Sequence, residues 1–415
     1  MVDLNADFVV GGVARNEDYF FYRTFVDDLW DSLKQDNILL LAPRRTGKTS
    51  IMYHLLDHPK HNFRVIHLNV EDLDKASDFF LSLIDAINEH QPQYMKKLSR
   101  SWDLFKKLGS HLEEVTILDF KIKLRKSADW EKDWQEVAHQ LMEKVNDVNE
   151  PVLFIIDELP DMLTAMVERD YNEDCNELRS FLHLFRKMRI DYHTGESIRW
   201  LVGGSVNIRG TLDELGLLKS INDLKTESLP PISEHELTDF VDKMLHGRGV
   251  EFDDTLIPRM QSLLGEPIPF FLQLFTQELY RYWRREKPVI LTACHADIVF
   301  QHALLGEAAH DKLQHYHSRI QLYYPAEEQE AAYTLLDILA RSDDGVSEKG
   351  LFSQYQHFRE TQSGFMNISV VQMQQEFKRL LLRLESDFYI SKIMNDRRDF
   401  NSFLLKTWWR KNWVL

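Results

Sequence analysis

Cysteine is nearly missing from this sequence: 415 residues hold two, Cys175 and Cys294. They lie far apart without metal-like spacing, so no disulfide framework is expected and a reducing, cytoplasmic compartment is the natural one. No apolar run approaches the roughly 20 residues that span a bilayer, so no membrane role is expected. The first residues, Met1-Val2-Asp3-Leu4-Asn5, lack the charged and apolar blocks of a secretion signal. Cations are short of anions, 50 Lys and Arg against 66 Asp and Glu, for a formal net charge of −16. That imbalance argues against non-specific nucleic-acid binding over the whole surface. A local basic patch stays open, because residues 371–415 carry nine Lys/Arg against five Asp/Glu. A solvated face explains that count equally well. No internal repeat or low-complexity tract is visible.

Apolar residues are plentiful at 44%, enough for two or three domains of about 150 residues each. Through the first half, apolar runs alternate with helical patterns, the signature of an α/β sheet. After a first run at 38–41, strands are expected at 63–70, 152–156, 200–203 and 224–229, with helices at 75–89, 130–148 and 176–188 between them. The long interval 71–150 includes an aromatic and basic stretch at 94–108 and a β-like alternation at 120–124. It reads as an insertion, near 91–130, carrying partner or regulatory contacts. Pro230-Pro231 closes the α/β region, and Ser233-Glu234-His235-Glu236 is a capping box that starts a helix. Helical sequence runs on to about Tyr324, broken at Gly265-Glu266-Pro267-Ile268-Pro269. The remainder offers helices at 327–341 and 371–384, an alternating run at 388–393, and a last helix holding Trp408, Trp409 and Trp413. Helices followed by a β-ribbon suggest a winged helix-turn-helix. Three domains are therefore expected: 1–231, 232–324 and 325–415.

Chemistry enters at Ile38-Leu39-Leu40-Leu41-Ala42-Pro43-Arg44-Arg45-Thr46-Gly47-Lys48-Thr49-Ser50. An apolar strand delivers the chain into a tight loop ending in Gly-Lys-Thr, and a helix follows. A phosphate-binding loop requires that order. Loop N–H groups and the helix N-terminus concentrate positive potential at one point, where they replace the water a polyphosphate loses. Residues Pro43 to Ser50 would cradle the nucleotide, with Lys48 on the outer phosphates and Thr49 ligating Mg²⁺. Ala42 stands where the motif usually has its first glycine, a small change at a strand end. Val152-Leu153-Phe154-Ile155-Ile156-Asp157-Glu158 is an apolar strand ending in two acids. Ligands bind at the carboxyl ends of parallel strands, so Asp157 is placed to hold Mg²⁺ and Glu158 to orient and deprotonate water. Another polar tip, Gly203-Gly204-Ser205, follows a further strand, and Ser205 is a candidate for sensing the terminal phosphate. Arg199, just before that strand, is a candidate charge-stabilising finger, with Arg179, Arg186, Arg189 and Arg209 competing for the role.

Together these residues resemble the prokaryotic AAA+/STAND-type P-loop ATPases, in particular the bacterial and archaeal ATPases related to origin-recognition and NACHT-like proteins. Phe20-Phe21-Tyr22-Arg23, followed by Leu29-Trp30, resembles the family's phenylalanine-glycine-arginine-glutamate box, with Tyr22 and Thr24 in place of glycine and glutamate. The resemblance implies that Arg23 helps form the nucleotide pocket. The loop 42–50 is close to the family's own variant, and Asp157-Glu158-Leu159-Pro160 resembles its acidic strand end. Gly203-Gly204-Ser205 falls at its sensor position. Gly265-Glu266-Pro267 resembles the Gly-x-Pro of its helical lid, which implies that Pro267 packs on adenine, Pro269 being a competing choice. The segment 398–410 resembles its closing winged helix.

The expected fold is thus a P-loop AAA+ parallel sheet flanked by helices, an all-α lid and a winged-helix domain. The expected function is an ATP- and Mg²⁺-dependent hydrolase acting as a switch, its C-terminal domain engaging a protein partner, a second copy or DNA. A non-catalytic nucleotide-bound scaffold or DNA-binding regulator is the alternative, and a P-loop kinase fits the acidic pair poorly. His54 and His58, four apart, and His310, His315 and His317 read as ordinary histidines rather than a zinc site. The closing tryptophans read as core.

Overall fold

The computed structural model describes residues 8–15, 21–101, 130–170, 175–192, 198–204, 208–361 and 369–414. The expected alternation at 120–124 lies outside them, as does the end of the 94–108 stretch beyond Ser101. Packing divides the chain into two compact units, one of Tyr22–Ala42 and Lys48–Pro230, the other of Met1–Phe21, Pro43–Gly47 and Pro231–Leu415.

The first unit is built on five strands: β1 (Ile38–Leu41), β2 (Arg64–Asn69), β3 (Val152–Asp157), β4 (Ile198–Gly204) and β5 (Lys225–Ser228). All pairs are parallel, in the order β2-β3-β4-β1-β5. Every residue of β1, β3 and β4 is buried, which is why their sequences run apolar without alternation. Helices Ala76–His90, Trp130–Asp147 and Asn176–Asp191 bury apolar stripes. Phe79, Phe80, Phe181, Phe185 and Trp200 form a connected ring cluster among them. Each such buried side chain stabilises the fold by about 2–3 kcal/mol through area removed from water. From β1 the chain passes to β2, beyond β4 and β3, so strand order reverses beside β1. That switch point is where open α/β sheets bind ligands.

Helices Glu234–His246, Leu256–Leu264, Pro269–Glu286, Ala293–Val299 and Glu307–Tyr323 open the second unit. The capping box forms as read: the Ser233 hydroxyl accepts the Glu236 N–H, and the Glu236 carboxylate accepts the Ser233 N–H. Helices Ala326–Arg341, Glu348–Thr361 and Val370–Ser386 follow, with an antiparallel sheet ordered β6 (Val346–Ser347), β8 (Arg397–Phe400), β7 (Ile390–Ile393). Three helices closed by a β-hairpin make a winged helix. Trp408 and Trp409, on the last helix Phe403–Trp413, are fully buried, and Trp409 donates its indole N–H to Asp337 at 2.7 Å. Trp408 and Trp409 are core as expected, whereas Trp413 is 37% exposed. The turn at Gly265 is locked onto this part of the chain. Glu266 N–H donates to the Asn401 carbonyl at 3.0 Å, and Ser402 Oγ donates to the Leu264 carbonyl at 2.9 Å.

Candidate functional site

β4 lies between β1 and β3, so three strand ends meet at one edge of the first unit. Gly204 pairs with Leu41 and Val202 with Ile156. The helix Lys48–Asp57 begins directly after the loop that leaves β1. Lys48 Nζ lies 3.2 Å from Asp157 Oδ1 and 3.0 Å from Glu158 Oε2. The Thr49 hydroxyl donates to Asp157 Oδ2 at 2.8 Å. Residues more than a hundred positions apart in sequence thus converge as the motifs required.

Local backbone explains how each side chain is aimed. Glu158 sits in the left-handed region, φ 58°, between β3 and the helix Leu159–Arg169. For a non-glycine residue that conformation costs on the order of 1 kcal/mol, a strain typical of functional positions. The Asp157 carboxylate accepts the Glu158 N–H at 3.0 Å and steadies the turn. Gly203 makes room: a Cβ there would fall 2.3 Å from Met52 Cε and 3.0 Å from Asp157 Oδ1. In the loop itself, Arg45 and Gly47 both have positive φ, 66° and 97°. Thr46 Oγ1 donates to the Pro43 carbonyl at 2.6 Å. Left-handed residues alternating with others turn successive N–H groups toward one concavity, the backbone form of an anion nest.

Electrostatically the cluster is unbalanced. Two carboxylates face one ammonium; Lys48 and Asp157 are buried and Glu158 is half-buried. Burial pushes the Glu158 carboxyl above its ordinary range, Lys48 opposes the shift, and Asp157 adds to it. A buried excess of negative charge is costly. Hard oxygen donors from Asp157 and Thr49 beside that excess suit a divalent Mg²⁺ ion.

Arg199 is the second residue of β4, five positions from Gly204, or about 17 Å along an extended strand from the end where the acids sit. It is buried, and its guanidinium donates to the carbonyls of Ile198 and Lys34. Of its competitors, Arg189 chelates Asp223 at 2.7 and 3.0 Å, with Arg186 3.6 Å from the same carboxylate. Arg179 donates to the Leu215 carbonyl and Arg209 to Thr226. Arg23 stands exposed at the first turn of the helix Arg23–Leu33. Ser205 lies outside the described residues. Ser50 continues the Lys48 helix, and Pro267 is half-buried in the turn after Gly265. Among the described residues no cluster of three or more His, Cys, Asp and Glu is spaced to hold a metal unaided.

Within the second unit the side chains of Arg44 and Arg45 are engaged. Arg44 donates to the Tyr323 hydroxyl at 2.9 Å, with its guanidinium 4.5 Å from that ring's centre. Arg45 donates to the Lys312 carbonyl at 3.0 Å and stacks 4.3 Å from the Phe270 centroid. What the two offer a phosphate is therefore backbone N–H. Sequence reasoning missed these aromatic partners, although Lys312, Tyr316, Arg319 and Tyr323 recur at helical spacing on one face.

No protein-family model matches the sequence, and no curated protein matches it. Solved structures do. The Walker-type ATPase of Pyrococcus abyssi superposes with a TM-score of 0.60 at 15% identity, over 99% of both chains. The ORC2 protein of Aeropyrum pernix, solved as ADPNP and ADP complexes, superposes with a TM-score of 0.53 at 10% identity, over 94% of this chain and 93% of that one. The fold is that of the AAA+ ATPases. Identities this low carry the fold alone. No helix among the described residues is long and apolar enough to cross a membrane.

Proposed function

We propose that the chain binds and hydrolyses ATP as a slow molecular switch, and that its nucleotide state governs what the C-terminal winged helix engages. The observation that carries this reading is the convergence of Lys48, Thr49, Asp157 and Glu158 at the carboxyl edge of a parallel sheet. Lys48 exchanges its two carboxylate partners for the outer phosphates when nucleotide enters. Loop N–H groups from Pro43 to Ser50 take the remaining phosphate oxygens. Thr49 and Asp157 would hold Mg²⁺, which neutralises phosphate charge when bound. Glu158, its affinity for protons raised by burial, takes a proton from the attacking water. Loss of the terminal phosphate removes contacts to Lys48 and, in this reading, to Ser205. The switch follows from those differential contacts. The adenine nucleotides bound by the Aeropyrum pernix protein favour adenine here. A cytoplasmic location, nucleotide-dependent self-assembly and the division at 231 and 324 belong to the same proposal.

Glu158→Gln tests the assigned base. It should retain ATP binding and lose turnover by the 10²–10⁴-fold that a positioned base typically supplies, about 3–5 kcal/mol of barrier. Hydrolysis equal to wild type would refute the assignment.

The second reading, a DNA-binding regulator, finds limited support. Of the basic residues in 371–415, Arg383, Lys392, Arg398, Lys406 and Arg410 are ion-paired to Glu328, Asp396, Glu348 with Glu385, Asp399 and Asp343. Paired charge raises little surface potential, which favours the solvated face over a phosphate-binding one. Salt-sensitive mobility shifts on duplex DNA, independent of turnover, would favour this reading instead.

A further inference from the structure

The two arginines inside the phosphate loop are not explained by phosphate binding, which the loop's backbone accomplishes. Arg45 adopts φ 66°, a conformation that glycine takes freely and arginine does not. A residue kept there against strain has work for its side chain. That side chain lies against Phe270 and the Lys312 carbonyl, with its guanidinium 5.7 Å from the Tyr316 ring. Tyr316 is buried, meets the Tyr389 ring edge-on at 6.1 Å, and its carbonyl accepts the Tyr389 hydroxyl. Arg44 starts a parallel route. It holds Tyr323, whose ring lies 5.7 Å from the Arg319 guanidinium, and Arg319 pairs with Asp387 at 3.1 Å. Asp387 and Tyr389 flank Phe388, a left-handed residue at φ 66°, at the base of the β7–β8 hairpin. The Tyr389 carbonyl closes that base by accepting the Asn401 N–H at 3.0 Å.

We propose that Arg44 and Arg45 are positioning residues that couple the phosphate loop to the winged-helix hairpin, through Tyr323 and Tyr316 on the helix Glu307–Tyr323. The proposal rests on 42–50 being a nucleotide loop. Nucleotide fixes the loop backbone, the arginine stems move with it, and each guanidinium carries the displacement into a packed aromatic or an ion pair. Planar guanidinium groups suit this task, because they stack on rings and donate in fixed directions at once. Packed side chains transmit such shifts as discrete rearrangements. The hairpin base receives them at two adjoining points, Asp387 and Tyr389.

Hydrogen exchange by mass spectrometry on the full chain, with and without ADP and Mg²⁺, tests the coupling. In the wild type ADP should slow exchange in residues 42–57 and change it in residues 387–400. Tyr323→Ala, at a position 45% exposed, and Tyr389→Phe each cut one route and should diminish the change at 387–400, with 42–57 still protected. Arg45→Gly, compared at ADP saturating for that variant, removes strain and side chain together and should do the same. The double variant Arg45→Gly with Tyr323→Ala should lose the change entirely. An unaltered response at 387–400 in that double variant overturns the coupling. A wild-type chain protected at 42–57 but unresponsive at 387–400 overturns it too and leaves the nucleotide reading intact. No protection at 42–57 in the wild type overturns both.

Discussion

Lys48 is held between Asp157 and Glu158, and this one ammonium sets the behaviour of both acids. Burial raises the affinity of Glu158 for a proton, and the ammonium opposes that effect. A base must be ionised to work, so the acidic limb of the hydrolysis profile should lie above the ordinary glutamate value of 4.5. Rates measured from pH 4 to 8 at saturating ATP check this. A limb at or below 4.5 contradicts Glu158 as the base. The same raised affinity disfavours the folded state as pH rises through that range, because the folded chain holds the extra proton.

Among the elements, the strands were legible and the long cationic side chains were not. Runs 38–41 and 152–156 read as parallel strands because both faces are covered, leaving no polar positions to interrupt them. β4 starts at Ile198, two residues earlier than the apolar run implied, because Arg199 is buried against the Lys34 carbonyl. Nothing local in the sequence foretells a partner 165 positions away. The side-chain partners of Arg44 and Arg45, 279 and 267 positions away, were hidden for the same reason. The capping box at Ser233 was legible because it is complete within four residues. Two predictions belong at this scale. Gly265 has φ 77°, and a Cβ there would fall 2.7 Å from the Phe403 nitrogen and 2.8 Å from the Asn401 oxygen. Backbone atoms have nowhere to yield, so Gly265→Ala should cost about 2–4 kcal/mol in denaturant melts. On the helix Glu307–Tyr323, burial lowers His315 and His317 from 6.5 to about 4, with Arg45, Arg319 and Arg44 also opposing the charge on His315. The folded chain holds fewer protons than the unfolded one between those values, so stability falls as pH drops from 6.5 toward 4. Denaturant midpoints across that window should decline, and His315→Gln with His317→Gln should flatten the decline.

For the molecule as a whole, the AAA+ architecture is a scaffold that hosts many activities, so the shared fold leaves its use here to the site. A net charge of −16 would repel a triphosphate from most of the surface. Capture therefore depends on a small region where loop N–H groups, a helix N-terminus and Lys48 outweigh that field. Titration calorimetry of the full chain with ATP and Mg²⁺, beside Lys48→Ala, measures this directly. The account predicts saturable uptake by the wild type and none by a folded Lys48→Ala variant. A wild-type chain that takes up no adenine nucleotide at millimolar ligand, or a Lys48→Ala chain that binds as well as wild type, would contradict it.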